Sequence, residues 1–180
     1  MLFTYQQCKE KYGSQYQIEK ALGRGELFQL EKGIYSDKKY ENELSVISLK
    51  YPDAVLTMNS AFYYYNLTDT IPQKYYLATE RGAAKISDSR VVQKFENSDT
   101  VRLGAVKIEE NNIKIYIYNK ERLLLELLRN KSKLPFDYYK EVVNSFRKIS
   151  DSLNMQDIQD YIYELPKSRM IMELLQMEVL

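Results

Sequence analysis

The chain contains no histidine, no tryptophan and a single cysteine, Cys8, among its 180 residues. The lack of histidine removes the commonest general base and zinc ligand, which excludes Ser-His-Asp and Cys-His catalysis. One cysteine cannot form an intrachain disulfide, and this favours a reducing compartment. With one thiol and no imidazole, the sequence also argues strongly against a structural zinc site.

Long apolar runs and a strong charge of one sign are missing as well. Residues 1–11 contain no apolar core of a signal peptide, and no later run approaches the length of a membrane span. We therefore expect a soluble, cytoplasmic protein with no membrane partner. The 26 lysines and arginines against 25 aspartates and glutamates leave a net charge of +1. This balance excludes a strongly basic, histone-like protein but permits a local basic patch.

The common enzyme signatures are absent too. The sequence contains neither a G-x-x-x-x-G-K-[ST] phosphate loop nor a G-x-G-x-x-G motif, and Gly23-Arg24-Gly25 predicts only a helix stop and a turn. Pro52-Asp53 resembles the start of a nuclease motif, but no Asp/Glu-x-Lys follows it on a convincing strand. We therefore expect no enzyme activity, no metal and no cofactor, and a degenerate nuclease is the least favoured alternative.

The N-terminal segment predicts two short helices followed by a two-stranded wing. Thr4 is placed to cap a helix over residues 5–12, and Ser14 opens a second helix in the capping-box pattern S-x-x-Q. Two strand-like pieces follow, over residues 27–30 and 33–36. This order is typical of a winged helix-turn-helix, which we place at residues 1–38.

The second predicted helix has the two faces that a DNA-recognition helix needs. Ile18, Ala21 and Leu22 form an apolar stripe, which leaves polar and basic side chains for the opposite face. Lys32 is expected at the tip of the wing. The predicted DNA-binding residues are Ser14, Gln15, Tyr16, Gln17, Lys20, Arg24 and Lys32. Residues 1–39 carry seven Lys/Arg (9, 11, 20, 24, 32, 38, 39) against five Asp/Glu (10, 19, 26, 31, 37), so a purely structural subdomain remains an alternative.

Residues 39–180 predict a mixed domain of strands and helices with a helical C-terminal end, so the fold class is α+β. Predicted strands cover residues 54–56, 74–79, 90–95, 101–108 and 112–118, with a turn at 109–111. Predicted helices cover residues 40–51 and the stretch up to Tyr65 capped by Asn59 or Ser60, and others begin after Asn119, Pro135, Asn154 and Pro166. Glu121-Arg122 is either a binding or phosphate-contacting pair, or a helix-dipole glutamate beside a structural arginine.

Three segments resemble the AbiEi family of abortive-infection antitoxins. Residues 17–35, QIEKALGRGELFQLEKGIY, resemble its recognition helix and wing. Residues 59–68, NSAFYYYNLT, followed by Pro72, look like its "S-A-x-x-x-x-x-L" helix. Residues 118–128, YNKERLLLELL, look like its "E-R-x-x-x-D-x-L" helix, with Glu126 where the family has aspartate. Because the three segments occur in the family's order and spacing, together they are a more specific match than any one segment alone.

The resemblance implies a transcriptional autoregulator that is also the antitoxin of a type IV toxin–antitoxin system for phage defence. Its partners would be promoter DNA with inverted repeats, whose symmetry favours a homodimer, and a nucleotidyltransferase-like toxin that it need not touch. The alternative is a protein-interaction module whose winged helix no longer binds DNA. The family usually has a further helix before the two found here, whereas only residues 1–3 precede the first. The module is therefore reduced, or the following domain covers that place, or the chain starts downstream of its true beginning.

Overall fold

A computed structural model describes residues 1–110 and 113–179. The chain forms two compact units. The first unit comprises Met1–Pro52 with Ile108–Ile115, and the second comprises Asp53–Lys107 with Tyr116–Leu180. The fold is α+β and ends in helices, which confirms the predicted class.

The described residues contain eight strands and eight α-helices. The strands are β1 (Leu2–Thr4), β2 (Phe28–Glu31), β3 (Ile34–Ser36), β4 (Val55–Leu56), β5 (Tyr75–Glu80), β6 (Val91–Glu96), β7 (Ala105–Glu110) and β8 (Ile113–Tyr118). The helices are α1 (Tyr5–Tyr12), α2 (Gln15–Gly23), α3 (Glu43–Lys50), α4 (Met58–Tyr64), α5 (Lys120–Arg129), α6 (Phe136–Lys148), α7 (Met155–Glu164) and α8 (Ser168–Glu178).

The first unit contains the predicted order of two helices and a hairpin, and it adds a strand. β1 pairs antiparallel with β3, which gives a three-stranded sheet in the order β1-β3-β2. Leu2 lies opposite Ser36, so the first strand pairs with the last strand of the wing. No strand was predicted at residues 2–4, because three residues carry too little pattern to reveal a partner more than 30 residues away.

Helix α3 belongs to the first unit. It contacts β1, and its side chains Val46 and Ile47 are buried. Asn42 caps it by accepting a hydrogen bond from the Leu44 N–H at 2.9 Å. The boundary predicted after residue 38 falls before this helix, whereas the first stretch of the unit ends at Pro52. The unit therefore has three helices within the described residues, the third of them following the wing.

The larger sheet has the order β6-β5-β4-β8-β7. β4 pairs antiparallel with β5 and parallel with β8, and β5 pairs parallel with β6. In the sequence of β8, isoleucines at 113, 115 and 117 alternate with Lys114, Tyr116 and Tyr118, which predicts one buried face. The alternation does not persist to the end of the strand, because Ile117 and Tyr118 are both fully buried. Residues 111 and 112, in the predicted turn and at the start of the predicted second strand, lie outside the described residues.

Helix α4 shows where a local pattern misled the prediction. It begins at Met58 after Thr57, not at the predicted caps Asn59 or Ser60. The Ser60 hydroxyl instead donates to the Lys74 carbonyl at 3.2 Å and accepts from the Tyr76 N–H at 2.9 Å. A residue with good capping chemistry is thus used to attach the helix to the start of β5.

The helical end is built around α5, which contacts α4, α6, α7 and α8. Its five leucines, Leu123, Leu124, Leu125, Leu127 and Leu128, are all fully buried, because neighbouring elements surround the helix. The predicted caps are confirmed at both Asn119 and Asn154, whose side chains accept from backbone N–H groups of α5 and α7. No helix in the described part of the chain has the length and hydropathy that crossing a membrane requires.

Candidate nucleic-acid interface

Two capped helices and a two-residue turn form the start of the candidate interface. Thr4 and Gln7 make a reciprocal capping box on α1: the Gln7 N–H donates to Thr4 Oγ1 at 3.3 Å, and the Thr4 N–H donates to Gln7 Oε1 at 2.8 Å. Gly13 ends α1 with φ +84°, a conformation that costs glycine little. Ser14 then caps α2 by accepting from the Gln17 N–H at 3.3 Å. The chain therefore turns sharply between α1 and α2.

The inner side of α2 is held by a small apolar core. Ile18 and Ala21 are 2% and 4% exposed. They belong to a cluster with Phe3, Cys8, Leu27 and Tyr35 from the strands, α1 and the start of the wing. Burial raises the pKa of the Cys8 thiol, so this cysteine is a core side chain in its neutral form. The core fixes which face of α2 meets solvent.

The outer side of α2 presents the residues that the sequence predicted. Gln15, Tyr16, Gln17 and Lys20 are all exposed, and Tyr16 retains 68% of its surface. Glu19 is exposed as well and accepts a hydrogen bond from Gln15 Nε2 at 3.0 Å. The face is therefore polar and rich in amide groups rather than strongly positive.

The remaining predicted residues lie at the ends of α2 and on the wing. Ser14 is exposed and engaged in capping, which leaves it at the helix N-terminus as expected. Arg24 follows the last residue of α2, and its Nη1 lies 3.9 Å from Glu26 Oε1. Lys32 is exposed at the wing tip, next to Gly33 with φ +80°. All seven predicted residues thus belong to one unit and are exposed.

Lys9 and Lys11 are exposed cations that the predicted set left out. Both lie in the last turn of α1, shortly before the turn into α2. The Nζ of Lys11 lies 4.5 Å from the centre of the Phe3 ring, so the side chain is partly ordered by a cation–π contact. Both lie within residues 5–12, the helix predicted from the sequence, so the pattern that predicts this helix also places them near the start of α2.

The predicted pair Glu121 and Arg122 does not form a common site. The Glu121 carboxylate accepts from the N–H of Asn154 at 3.0 Å, so it supports the start of α7. Arg122 is fully buried. The two side chains contact different parts of the second unit, so they do not form one ligand-binding pair.

Arg122 belongs to a buried network of two arginines and two glutamates. Its Nε donates to Glu126 Oε1 at 2.9 Å, and Arg129 Nε donates to Glu126 Oε2 at 2.9 Å. Arg129 also pairs with Glu96, and Glu96 Oε2 lies 3.8 Å from Arg122 Nη2. The two positive and two negative charges balance, which is what a low-dielectric interior requires.

The same arginine ties the loop before β7 to α5. Its Nη1 donates to the carbonyls of Thr100 and Leu103 at 2.9 and 3.1 Å, and its guanidinium lies 4.6 Å from the Tyr118 ring centre. Gly104 has φ +72°, and a Cβ there would lie 2.7 Å from the Arg122 Cβ. These contacts match the structural interpretation of Arg122. Within the described residues, no cluster of three or more cysteine or carboxylate side chains is arranged to hold a metal ion.

Comparison with known proteins supports the fold alone. A scan of protein-family models and a search of curated proteins each found no match to this chain. Among solved structures, the chain is similar to the RV2827C protein of Mycobacterium tuberculosis, with a TM-score of 0.63 and 15% identity over 98% of this chain and 71% of that chain. At this identity the similarity shows a shared α+β fold that extends over nearly the whole of this chain.

Proposed function

We propose that the first unit is a winged helix-turn-helix that binds DNA and that the protein is an autoregulating, antitoxin-like repressor. The observation that carries the DNA-binding part is the outer face of α2, where Gln15, Tyr16, Gln17 and Lys20 are exposed while Ile18 and Ala21 hold the inner face. A recognition helix needs this combination of an apolar back and a hydrogen-bonding front.

The side chains on this face suit base edges and phosphates. Glutamine amides hydrogen-bond to adenine and arginine or lysine to guanine in the major groove. Ser14 at the helix start and Lys32 on the wing suit backbone phosphates. Residues 40–52 add Lys50, Glu41 and Glu43 to the charges of residues 1–39, so residues 1–52 carry eight Lys/Arg and seven Asp/Glu. Such a weak excess favours two copies on an inverted repeat and a strong dependence on salt.

The antitoxin part of the proposal rests on the resemblance of residues 59–68 and 118–128 to the AbiEi family. In this hypothesis the protein represses its own promoter and opposes a nucleotidyltransferase-like toxin without a required contact. The DNA-binding face and the antitoxin activity are separable, because the resembling segments in the second unit lie outside α2.

The DNA-binding proposal is tested by titrating a duplex that carries the inverted repeat upstream of the gene. The double variant Lys20→Ala/Arg24→Ala should bind at least about tenfold more weakly, and its salt slope should fall by up to about two. The matched control is Lys85→Ala/Lys148→Ala, which removes two exposed lysines from the second unit and changes the net charge equally. Equal binding by the double variant and wild type would overturn the assignment of α2 as the recognition helix.

The antitoxin proposal is tested by co-expression with the nucleotidyltransferase-like product of a neighbouring gene. The wild-type chain and the Lys20→Ala/Arg24→Ala variant should both restore growth, because neutralisation does not use the DNA-binding face. Continued growth arrest with wild type would refute this part. A stable complex with that product, together with no retarded DNA at physiological salt, would instead favour the protein-interaction module.

A further inference from the structure

A cavity of about 430 Å³ lies in the helical end of the second unit. Its apolar wall is formed by Leu128, Leu134, Phe136, Met170 and Leu174. The volume falls in the range of about 300–1,000 Å³ that is usual for small-molecule sites. Phe136 is 62% exposed, so part of this wall is open to solvent and an occupant would cover it.

Three cations line the same cavity, and two of them are already neutralised. Arg129 pairs with Glu126 and Glu96, and Lys131 pairs with Glu178. Lys167 lines the cavity, is exposed, and has no carboxylate partner among residues 1–110 and 113–179. The cavity therefore combines an apolar wall with one uncompensated ammonium group.

The local structure gives no reason for a lysine at position 167. Its φ is +67°, in the left-handed region that glycine and asparagine adopt more readily. It is the N-cap residue of α8, where it makes no side-chain capping bond. A cation at a helix N-terminus is also opposed by the helix dipole. Residues that break a local rule are expected at functional or strained sites, and Lys167 is such a residue beside a cavity.

We propose that this cavity binds a small amphipathic monoanion, a carboxylate on a hydrocarbon or aryl body. The apolar body packs against Phe136, Met170 and Leu174, and the carboxylate pairs with the Lys167 ammonium. Among the cations that line the cavity, Lys167 is the one without a carboxylate partner in the described residues, so a carboxylate would pair with it, whereas a neutral or cationic amphiphile leaves the ammonium unpaired or repelled. This site is independent of DNA binding.

The test uses decanoate as the probe and decylammonium as a probe of opposite charge and equal chain length. The protein is labelled with 13C in its methionine methyl groups, and both probes are titrated below their micelle concentrations. Decanoate should shift the Met170 resonance and bind about tenfold more tightly than decylammonium. Met177, which is 79% exposed on the same helix and does not line the cavity, should not respond. Equal affinity for the two probes, or a shift at Met177 in place of Met170, would overturn the proposal.

Two variants locate the contacts. Lys167→Gly removes the ammonium and relieves the left-handed backbone, so it should raise the melting temperature while weakening decanoate binding about two- to fivefold, roughly the range for losing one exposed ion pair. Phe136→Ala should weaken both probes. The matched control Lys85→Gly removes an exposed lysine from the loop before β6 and should leave decanoate affinity unchanged. Unaltered decanoate binding by a folded Lys167→Gly variant would refute the role of the ammonium.

Discussion

Replacing Arg122 by methionine should destabilise the second unit far more than an ordinary buried substitution. The wild-type network holds Arg122 and Arg129 against Glu96 and Glu126 with no net charge. Arg122→Met leaves the two carboxylates with one buried guanidinium, and the partly exposed Lys94 ammonium nearby offsets only part of the lost charge because solvent screens it. It also removes the donor to the carbonyls of Thr100 and Leu103.

The expected magnitude follows from which charges stay behind. Breaking a buried ion pair by removing one partner costs about 3–5 kcal/mol, because the other charge stays buried without compensation. The double variant Arg122→Met/Glu126→Leu leaves Arg129 opposite Glu96 and restores neutrality. It should be less destabilised than the sum of the two single variants by about 2 kcal/mol or more.

Urea denaturation followed by circular dichroism at 222 nm measures these free energies of unfolding, and the chain has no tryptophan to serve as an alternative probe. The neighbouring substitution Glu121→Gln is the control. It weakens one hydrogen bond, to the N–H of Asn154, and should cost only about 0.5–1.5 kcal/mol. A loss below about 1 kcal/mol for Arg122→Met, or simple additivity in the double variant, would refute the structural role assigned to the network.

Three further predictions concern Gly104, Glu178 and Cys8. Gly104→Ala should lower the free energy of urea unfolding by about 2–4 kcal/mol, because the new Cβ meets the Arg122 Cβ at 2.7 Å and φ is +72°. A variant as stable as wild type would contradict this close approach. Burial alone raises the pKa of Glu178, but hydrogen bonds from Lys131 and Tyr139 hold it below the ordinary 4.5. The ionised Glu178 carboxylate therefore stabilises the fold above about pH 4.5, and this stabilisation is lost as the pH falls through the lower folded-state pKa. Between about pH 5 and about pH 3, the free energy of unfolding of Glu178→Gln should fall less than that of wild type. The buried Cys8 thiol should react with an aromatic disulfide reagent only in urea, and rapid native reaction would show that the core of the first unit opens readily.

Local signals predicted most of the elements of this fold. Thr4, Ser14, Asn119 and Asn154 have capping side chains, and each begins a helix as expected. Behind Ser14, Asn119 and Asn154, apolar residues also recur at helical spacing. The exposed face of α2 also followed from its period, since burying Ile18 and Ala21 leaves the intervening polar side chains outside. Whether this face binds DNA remains a prediction.

Other features depend on partners that are distant in the sequence. β1 forms because Leu2–Thr4 pairs with β3, and the sequence of three residues is too short to predict that pairing. Ser60 looks like a helix cap, but its hydroxyl bonds to Lys74 and Tyr76. Arg122 looks like a surface charge in the first turn of a helix, yet Glu96 and Thr100 from the preceding strand and loop enclose it.

The amino-acid sequence by itself determined the α+β class, the starts of α1, α2, α5 and α7, and the polar face of α2. These depend on interactions within a few residues, where capping and periodicity act. Only the tertiary structure decided that Arg122 is buried in a network of opposite charges while Lys167 is exposed beside a cavity. The environment of a charged side chain is set by the distant groups packed around it, and those groups become neighbours only when the chain folds.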